Sequence, residues 1–308
     1  ADPGVKAALD SLGRSFDFWD AAELGPPFAR DELSYSTVVW LGGWFPDLAI
    51  DAIQPYLELG GNLLVSGELF GTWDRAAYSF FPPSTFHRDF LHGTGIFVVD
   101  YFDKNHQNYP VSVAGAPGEL FEGLTFDINS YNLNSTGETT AIFTDELLVS
   151  PTDGASPLFT YPYGLHTPAV AGLKVDTGTF RVVYTGFGIE AINDTGEATL
   201  SHLFSKVFDS FNPAPEISSV LPRALPTEGG EFQVVGKNFQ PTGTTRVLVD
   251  RVEVRADVSS RTSLAATLPP GLAPGSYTVT VINPFGHEAV AEGALTIEAA
   301  ATPPATAP

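Results

Sequence analysis

The segment Asn62–Gly71, NLLVSGELFG, has the pattern of a strand that ends in a functional turn. Its apolar residues predict a buried strand, and glycines at 67 and 71 predict a tight turn around Glu68. In many α/β enzymes such a turn displays the catalytic nucleophile. A carboxylate there has two interpretations: a general acid or base whose pKa is raised by burial, or a cap on the following helix. Glu68 is therefore the candidate catalytic residue, with the capping role left open.

Two further side chains are predicted to lie near Glu68. Trp44 follows a Gly-Gly pair at the end of one apolar segment, and Glu190 follows the Gly turn of another. Ligands of doubly wound sheets bind beyond the carboxyl ends of the strands. Trp44, Glu68 and Glu190 are therefore the predicted ligand-binding residues, suited to a sugar or a peptide group.

The loop DYFDKNHQN supplies the candidate metal ligands, Asp100 and Asp103, with Asn105 and Asn108 close by. Carboxylate and amide oxygens are the ligands that Ca²⁺ prefers. The spacing lacks the DxDxDG pattern of a calcium loop. Apart from this candidate Ca²⁺ site, the sequence indicates no cofactor.

The motif FHRDFLH places His87, Asp89 and His92 close together in sequence. His87 and His92 are five residues apart, which separates them by about 140° around a helix and makes them poor joint ligands. Asp89 and His92 are three apart, so we expect a local hydrogen-bonded pair rather than a metal site.

The overall charge excludes several classes of partner. The 308 residues include 36 acidic and 15 basic side chains, a net charge of −21. Nucleic acids and anionic membranes need clustered Lys and Arg, so neither is an expected partner. Cysteine is absent, which excludes thiol catalysis and disulfides, and no apolar run is long enough for a membrane span. We expect an extracellular or cell-surface location.

The first 212 residues alternate between helical and strand patterns. A helix is predicted at 5–12 and ended by Gly13, a short strand at Phe16–Trp19, and an amphipathic helix at 196–211. The apolar segments STVVWLGG and NLLVSG read as buried parallel strands. This alternation predicts an α/β, flavodoxin-like parallel-sheet domain over residues 1–212.

The pattern changes after the linker NPAPE. Short strands at intervals of 8–14 residues, separated by turn residues, predict an all-β, immunoglobulin-like sandwich over residues 213–299. Residues 300–308 are a Pro/Ala/Thr-rich tail or linker. The sequence therefore predicts a multidomain chain.

The second domain resembles the IPT/TIG family of immunoglobulin-like domains. The resemblance lies in PEISSVLPRALPTEGGEFQVVGKNFQPTGTTRVLVD and in the later PPGLAPGSYTVTVINPFG. It implies a spacer, adhesion or dimerisation module, which in secreted bacterial proteins is commonly one of a series.

The first domain is similar to the class I glutamine-amidotransferase-like domains that accompany secreted bacterial proteins, including proteases. ALDSLGRSFDFWD, YLELGGNLLVSGELFG, FHRDFLHGTGIFVVDY and FRVVYTGFGIEAI carry this similarity. The family's nucleophile is a Cys, whereas this chain has Glu68 at that turn and no Cys, so only the fold is implied. That fold begins with an interior strand, and the segment ADPGVK does not supply one. The resemblance therefore implies that the first strand was lost by truncation or processing, or that another chain supplies it.

Three functions remain open on the sequence. The leading one is a non-catalytic binding, spacer or assembly region of an exported bacterial surface or secreted protein. Its partners would be other domains of a larger parent, neighbouring subunits, or a polysaccharide or protein ligand. One alternative is a hydrolase or protease accessory region that uses the crevice around Glu68. The other is a subunit of an extracellular filament or surface layer completed by strand addition.

Overall fold

The computed structural model describes residues 3–25, 27, 29–41, 47–67, 80–81, 85–99, 112–128, 144–149, 154–162 and 167–299. The chain divides into two units, residues 1–33 with 37–211 (unit 1) and residues 34–36 with 212–308 (unit 2). Each has its own core.

The described part of unit 1 contains helices and a larger number of strands. The helices are α1 (Pro3–Ser11), α2 (Ala21–Leu24), α3 (Ala29–Glu32), α4 (Asp47–Glu58), α5 (Thr85–Asp89) and α6 (Leu200–Phe211). The strands are β1 (Val38–Leu41), β2 (Asn62–Ser66), β3 (Phe80–Phe81), β4 (Gly93–Val99), β5 (Ser112–Gly115), β6 (Thr125–Asp127), β7 (Thr144–Val149), β8 (Ala155–Tyr161), β9 (Ala169–Asp176) and β10 (Arg181–Thr185).

The main sheet of unit 1 has the order β1-β2-β10-β9-β8-β5-β6. Strands β1, β2 and β10 are parallel, with Leu64 of β2 opposite Val39 on one side and Val183 on the other. The other neighbouring pairs in this sheet are antiparallel. Strands β3, β4 and β7 form a separate antiparallel sheet. The described strands of unit 1 therefore form a mixed structure, and most of their pairs are antiparallel.

Strands β2 and β10 are buried at every position because both faces of the sheet are covered. Leu64 and Val183 belong to a core that includes residues of α1 and α6. Leu63 and Val182 belong to a second core that includes residues of α4 and α5. Alternate side chains of each strand thus enter opposite cores, as the period-two geometry of a strand requires.

The helices predicted at the two ends of unit 1 are confirmed. Helix α1 buries Val5 and Ala8, and Gly13 follows it with a positive φ of 62° that suits glycine. Helix α6 buries the apolar positions that recur at helical spacing, namely Leu200, Leu203, Phe204, Val207, Phe208 and Phe211.

The predicted flavodoxin-like parallel sheet is wrong. Strand β9 runs antiparallel to β10 and is joined to it by the four residues 177–180. In that turn, the Thr177 hydroxyl oxygen accepts hydrogen bonds from the backbone N–H groups of Thr179 (3.2 Å) and Phe180 (3.1 Å). So short a connection joins antiparallel strands only, because a parallel pair needs a crossover of a dozen or more residues.

In the described sheet, β2 pairs directly with β1 and with β10. The expectation that a first strand is missing stays a prediction. The strand predicted at Phe16–Trp19 is wrong, because these residues form irregular chain that exposes Phe18 and Trp19. The alternation of aromatic residues there does not reflect one buried and one exposed face.

The described part of unit 2 is all β, as predicted. Its strands are β11 (Glu216–Leu221), β12 (Ala224–Pro226), β13 (Gly230–Lys237), β14 (Arg246–Val249), β15 (Val252–Ser260), β16 (Ser263–Leu268), β17 (Gly275–Ile282) and β18 (Glu288–Glu298). Their hydrogen-bonded order is β11-β13-β16-β15-β14-β17-β18-β12. Strand β15 changes partner along its length, since residues 252–254 pair with β14 and residues 255–260 pair with β16. Buried and exposed residues alternate along β13 and β16, which places one face of each strand in the core.

Candidate functional site

The carboxyl ends of β2 and β10 lie side by side in the parallel part of the main sheet. Ser66, the last residue of β2, is the register partner of Thr185, the last residue of β10. The segments that follow both strands therefore start from one edge of the sheet, where ligands of α/β sheets commonly bind.

Ser66 joins these two strand ends through its side chain. Its hydroxyl oxygen accepts a 2.8 Å hydrogen bond from the backbone N–H of Ile189 and donates a 3.2 Å bond to the carbonyl of Phe187. The Thr185 hydroxyl donates a 2.9 Å bond to the same Phe187 carbonyl. Ser66, Thr185 and Ile189 are each no more than 1% exposed. This buried network fixes the turn after β10 onto the end of β2.

Glu190 lies in the short 3-10 helix Ile189–Ala191 directly after this network, and it is half-buried. Its carboxylate turns back over Gly188. A Cβ atom at residue 188 would lie 2.3 Å from Glu190 Oε1 and 2.9 Å from Oε2. The absence of a side chain at Gly188 therefore makes the room that the Glu190 carboxylate occupies.

The other predicted site residues, Trp44, Glu68, Asp100 and Asp103, lie outside the described residues. Of the predicted ligand-binding set, the structure therefore places Glu190. The proposed catalytic role of Glu68 and the proposed calcium ligands stay predictions.

His87, on α5, is a core residue. Its side chain is buried, and burial lowers the pKa of His87 to about 4. The ring meets Tyr184 edge-on at a centroid distance of 6.1 Å, and a Cβ on Gly93 would lie 1.9 Å from its Nε2 atom. His87 is therefore a neutral, closely packed imidazole at neutral pH.

Asp89 pairs with its neighbour Arg88 in the structure. Arg88 Nε lies 2.7 Å from Asp89 Oδ1, and Nη2 lies 3.2 Å from Oδ2. This hydrogen bonding lowers the pKa of Asp89, and the charges of Arg88 and His92 act in the same direction. Within the described ranges, no three His, Asp or Glu side chains are grouped to hold a metal ion.

Glu32, at the end of α3, is a buried acid that the sequence patterns do not reveal. It is 4% exposed, and neither carboxylate oxygen has a hydrogen-bond partner among the described residues. Burial, and secondarily the charge of Asp31, raises the pKa of Glu32 to about 7. A helix of four residues has no periodicity that would have predicted which side chain is buried.

Residues 15–25, here called the acidic–aromatic segment, expose large apolar side chains. Phe18 is 57% exposed, Trp19 44% and Leu24 61%. The indole Nε1 of Trp19 donates a 2.7 Å hydrogen bond to the carbonyl of Gly25. The segment thus presents an ordered apolar surface.

The sandwich of unit 2 is reinforced where β17 turns into β18. The buried Asn283 side chain donates from Nδ2 to the carbonyl of Asn238 at 2.6 Å, and His287 Nδ1 lies 2.7 Å from the carbonyl of Asn212. Residues 215–297 match the family model of the IPT/TIG domain. The predicted immunoglobulin-like IPT/TIG domain is therefore confirmed over these residues.

The core of the IPT/TIG domain explains the apolar pattern of its sequence. Gly236 is required by close packing, since a Cβ there would lie 1.8 Å from the carbonyl oxygen of Glu216 and 2.7 Å from the Phe239 ring. In the motif VVGKNF, Gly236 lies where β13 pairs with β11, and Phe239 lies in the core of the domain.

Solved structures give weaker likenesses. A β-galactosidase from Rahnella sp. R3 aligns at 15% identity and TM-score 0.45, over 86% of this chain and 36% of its own. A β-galactosidase from Bacillus circulans aligns at 11% identity and TM-score 0.34, over 76% and 32%. An auxiliary nutrient binding protein from Bacteroides ovatus aligns at 19% identity and TM-score 0.23, over 28% and 20%.

All three TM-scores are below 0.5, so these likenesses establish neither fold nor function. The chain spans at most 36% of the length of these structures. No match is found among curated proteins. The amidotransferase-like resemblance of unit 1 gains no support from any of these comparisons.

Membrane insertion by a helix can be judged from length and apolarity. None of the helices in the described ranges has enough of both to cross a bilayer.

Proposed function

We propose that this chain is a non-catalytic binding and spacing region of a larger exported protein. The observation that carries the proposal is the IPT/TIG domain at residues 215–297. An immunoglobulin-like sandwich of this kind displays loops and sheet edges on a rigid core, and it commonly serves as a module that spaces or joins other domains.

The surface of unit 1 supports the binding part of the proposal. Phe18, Trp19 and Leu24 expose large apolar side chains within seven residues. Isolated exposed apolar residues are ordinary, whereas grouped ones mark interaction surfaces. The partners on this proposal are other domains of the parent protein, neighbouring subunits, or an external protein or polysaccharide.

The location is tested with an antibody raised against the purified chain. We expect it to detect a polypeptide larger than 32.8 kDa in the culture medium or on intact cells of the producing organism, with a cytoplasmic enzyme as the fractionation control. Detection in the cytoplasm alone would overturn the proposal.

Catalysis by the crevice around Glu68 is the competing function. It is tested by assaying the purified chain and Glu68→Gln side by side on panels of chromogenic glycosides and peptides. We expect the two proteins to be indistinguishable. Turnover by the wild type that Glu68→Gln abolishes would replace the binding proposal with the hydrolase alternative.

A further inference from the structure

We propose that the acidic–aromatic segment, residues 15–25, is a docking surface for a Lys- or Arg-containing segment of another protein. This inference deepens the proposed binding function, on which it rests, by assigning a surface and a partner chemistry. It stands on the exposure of the apolar side chains, their fixed geometry and the charge around them.

Three large apolar side chains of the segment are exposed close together in the sequence. Phe18, Trp19 and Leu24 lie within seven residues and are 57%, 44% and 61% exposed. Docking would remove the apolar surface of these side chains from water, which favours binding. Aromatic side chains, Trp and Tyr above all, supply a large share of binding energy at protein interfaces.

Hydrogen bonds within the chain hold the segment in place. The Trp19 indole is held by its hydrogen bond to the Gly25 carbonyl, and the backbone N–H of Leu24 donates a 2.9 Å bond to the Asp20 carbonyl. The turn at α2 therefore folds back beside the Trp19 ring. A partner that docks here has less side-chain and loop freedom to remove, which lowers the entropic cost of binding.

The segment is also acidic. Asp17, Asp20 and Glu23 alternate with the exposed apolar residues, and residues 15–25 contain no Lys or Arg. Glu23 is exposed, so its carboxylate is accessible to a cation from a partner. Such a cation would gain an ion pair, and a cation–π contact where it also reaches one of the exposed aromatic rings. One aromatic ring of the segment already has a cation–π contact within the chain, since Lys6 Nζ lies 5.4 Å from the centre of the Phe16 ring.

The charge also decides between partners. A second copy of the chain carries the same net charge of −21 and would be repelled from an acidic surface. A neutral polysaccharide would form no ion pair with the three carboxylates. A cationic protein segment uses both the apolar and the acidic side chains, so it is the occupant that the surface fits.

The test is isothermal titration calorimetry of the full chain with a synthetic peptide of alternating arginine and leucine residues. The matched control peptide has glutamate in place of arginine. We expect binding of the arginine peptide only, with an affinity that falls as salt is raised toward about 0.15 M. Phe18→Ala and Trp19→Ala should each weaken binding by about tenfold or more, and Glu23→Gln by a smaller factor with a shallower salt dependence.

Leu59→Ala, at another exposed leucine of unit 1, is the matched control and should bind as the wild type does. Thermal unfolding of each variant checks that it is folded, and Phe18→Ala keeps the test valid if loss of the Trp19 hydrogen bond disturbs the segment. Equal binding of both peptides, unchanged binding by Phe18→Ala and Trp19→Ala, or dimerisation through this segment would overturn the inference. The antibody localisation is independent of these outcomes, so a failed peptide test leaves the proposed function to be judged separately.

Discussion

Ser66 and Ile189 are joined by a 2.8 Å hydrogen bond from the Ile189 backbone N–H to the Ser66 hydroxyl oxygen. The two residues are 123 positions apart in sequence. The bond connects the end of β2 to the turn that carries Glu190. The position of that carboxylate therefore depends on a serine from a distant part of the chain.

Replacing Ser66 by alanine should destabilise unit 1 by about 1–3 kcal/mol, because the buried N–H of Ile189 loses its acceptor. The measurement is urea unfolding followed by tryptophan fluorescence, which reports on unit 1 because all four Trp residues precede residue 74. Ser15→Ala, at an exposed position outside the helices and strands, is the control and should change the free energy of unfolding by less than about 0.5 kcal/mol. Equal effects of the two substitutions would contradict this role of Ser66.

Gly188→Ala should move the Glu190 carboxylate, because the new Cβ would lie 2.3 Å from Oε1. We expect a loss of about 1 kcal/mol, and almost none when Glu190 is already alanine, so a double-mutant cycle should give a clear coupling energy. Gly115→Ala is the contrast, since its Cβ would lie 1.8 Å from the Phe121 carbonyl oxygen, which cannot rotate away. That substitution should cost more than about 3 kcal/mol in any background. Additive effects of Gly188→Ala and Glu190→Ala would refute the contact.

Glu32 should make unit 1 less stable as the pH rises. Its pKa is raised from the ordinary value of 4.5 to about 7 on folding, so the folded state binds more protons than the unfolded state between these values. Stability from this group is complete below pH 4.5 and falls by about 3 kcal/mol by pH 7. Glu32→Gln should abolish this decline, and Glu58→Gln, at an exposed position of α4, should not. The measurement is the urea midpoint of unfolding across this pH range. A decline of stability that persists in Glu32→Gln would contradict the prediction.

His87 should act in the opposite direction. Its pKa falls from 6.5 to about 4 on folding, so the unfolded chain binds more protons between these values and acid destabilises unit 1 by about 3 kcal/mol. Between pH 4.5 and 6.5 the contributions of His87 and Glu32 oppose each other. The Glu32→Gln variant should therefore lose stability on acidification where the wild type changes little. In the Glu32→Gln background, His87→Gln should remove that loss of stability. His202→Gln in the same background is the control for replacing a histidine, and it should leave the loss unchanged.

The sequence predicts the helices and parallel strands of unit 1 better than its sheet. The apolar spacing of α6 and the continuous apolar run of β2 each report directly on burial. The direction of β9 depends on the turn Asp176–Phe180, whose Thr and Gly residues close a hairpin. Without that turn, the apolar pattern of β10 is typical of one more strand in a parallel sheet.

The sequence predicts the candidate site less completely than the fold of unit 2. Glu190 follows a recognisable Gly turn, so the pattern identifies it. Glu32 is buried through packing of a four-residue helix, and Trp19 is exposed because its segment has no strand partner in the described sheet. The burial of Glu32 and the exposure of Trp19 both depend on tertiary packing, which local sequence patterns do not predict.

The parallel pairing of β12 with β18 has a mechanical consequence for the IPT/TIG domain. These strands lie near the beginning and the end of the domain, with Leu225 opposite Ile297, and the Thr296 N–H donates a 2.7 Å bond to the Arg223 carbonyl. Tension on the two ends of the domain pulls parallel neighbours in opposite directions along their length. The hydrogen bonds between them are then sheared together instead of opening one after another, so the sandwich resists stretching along the chain.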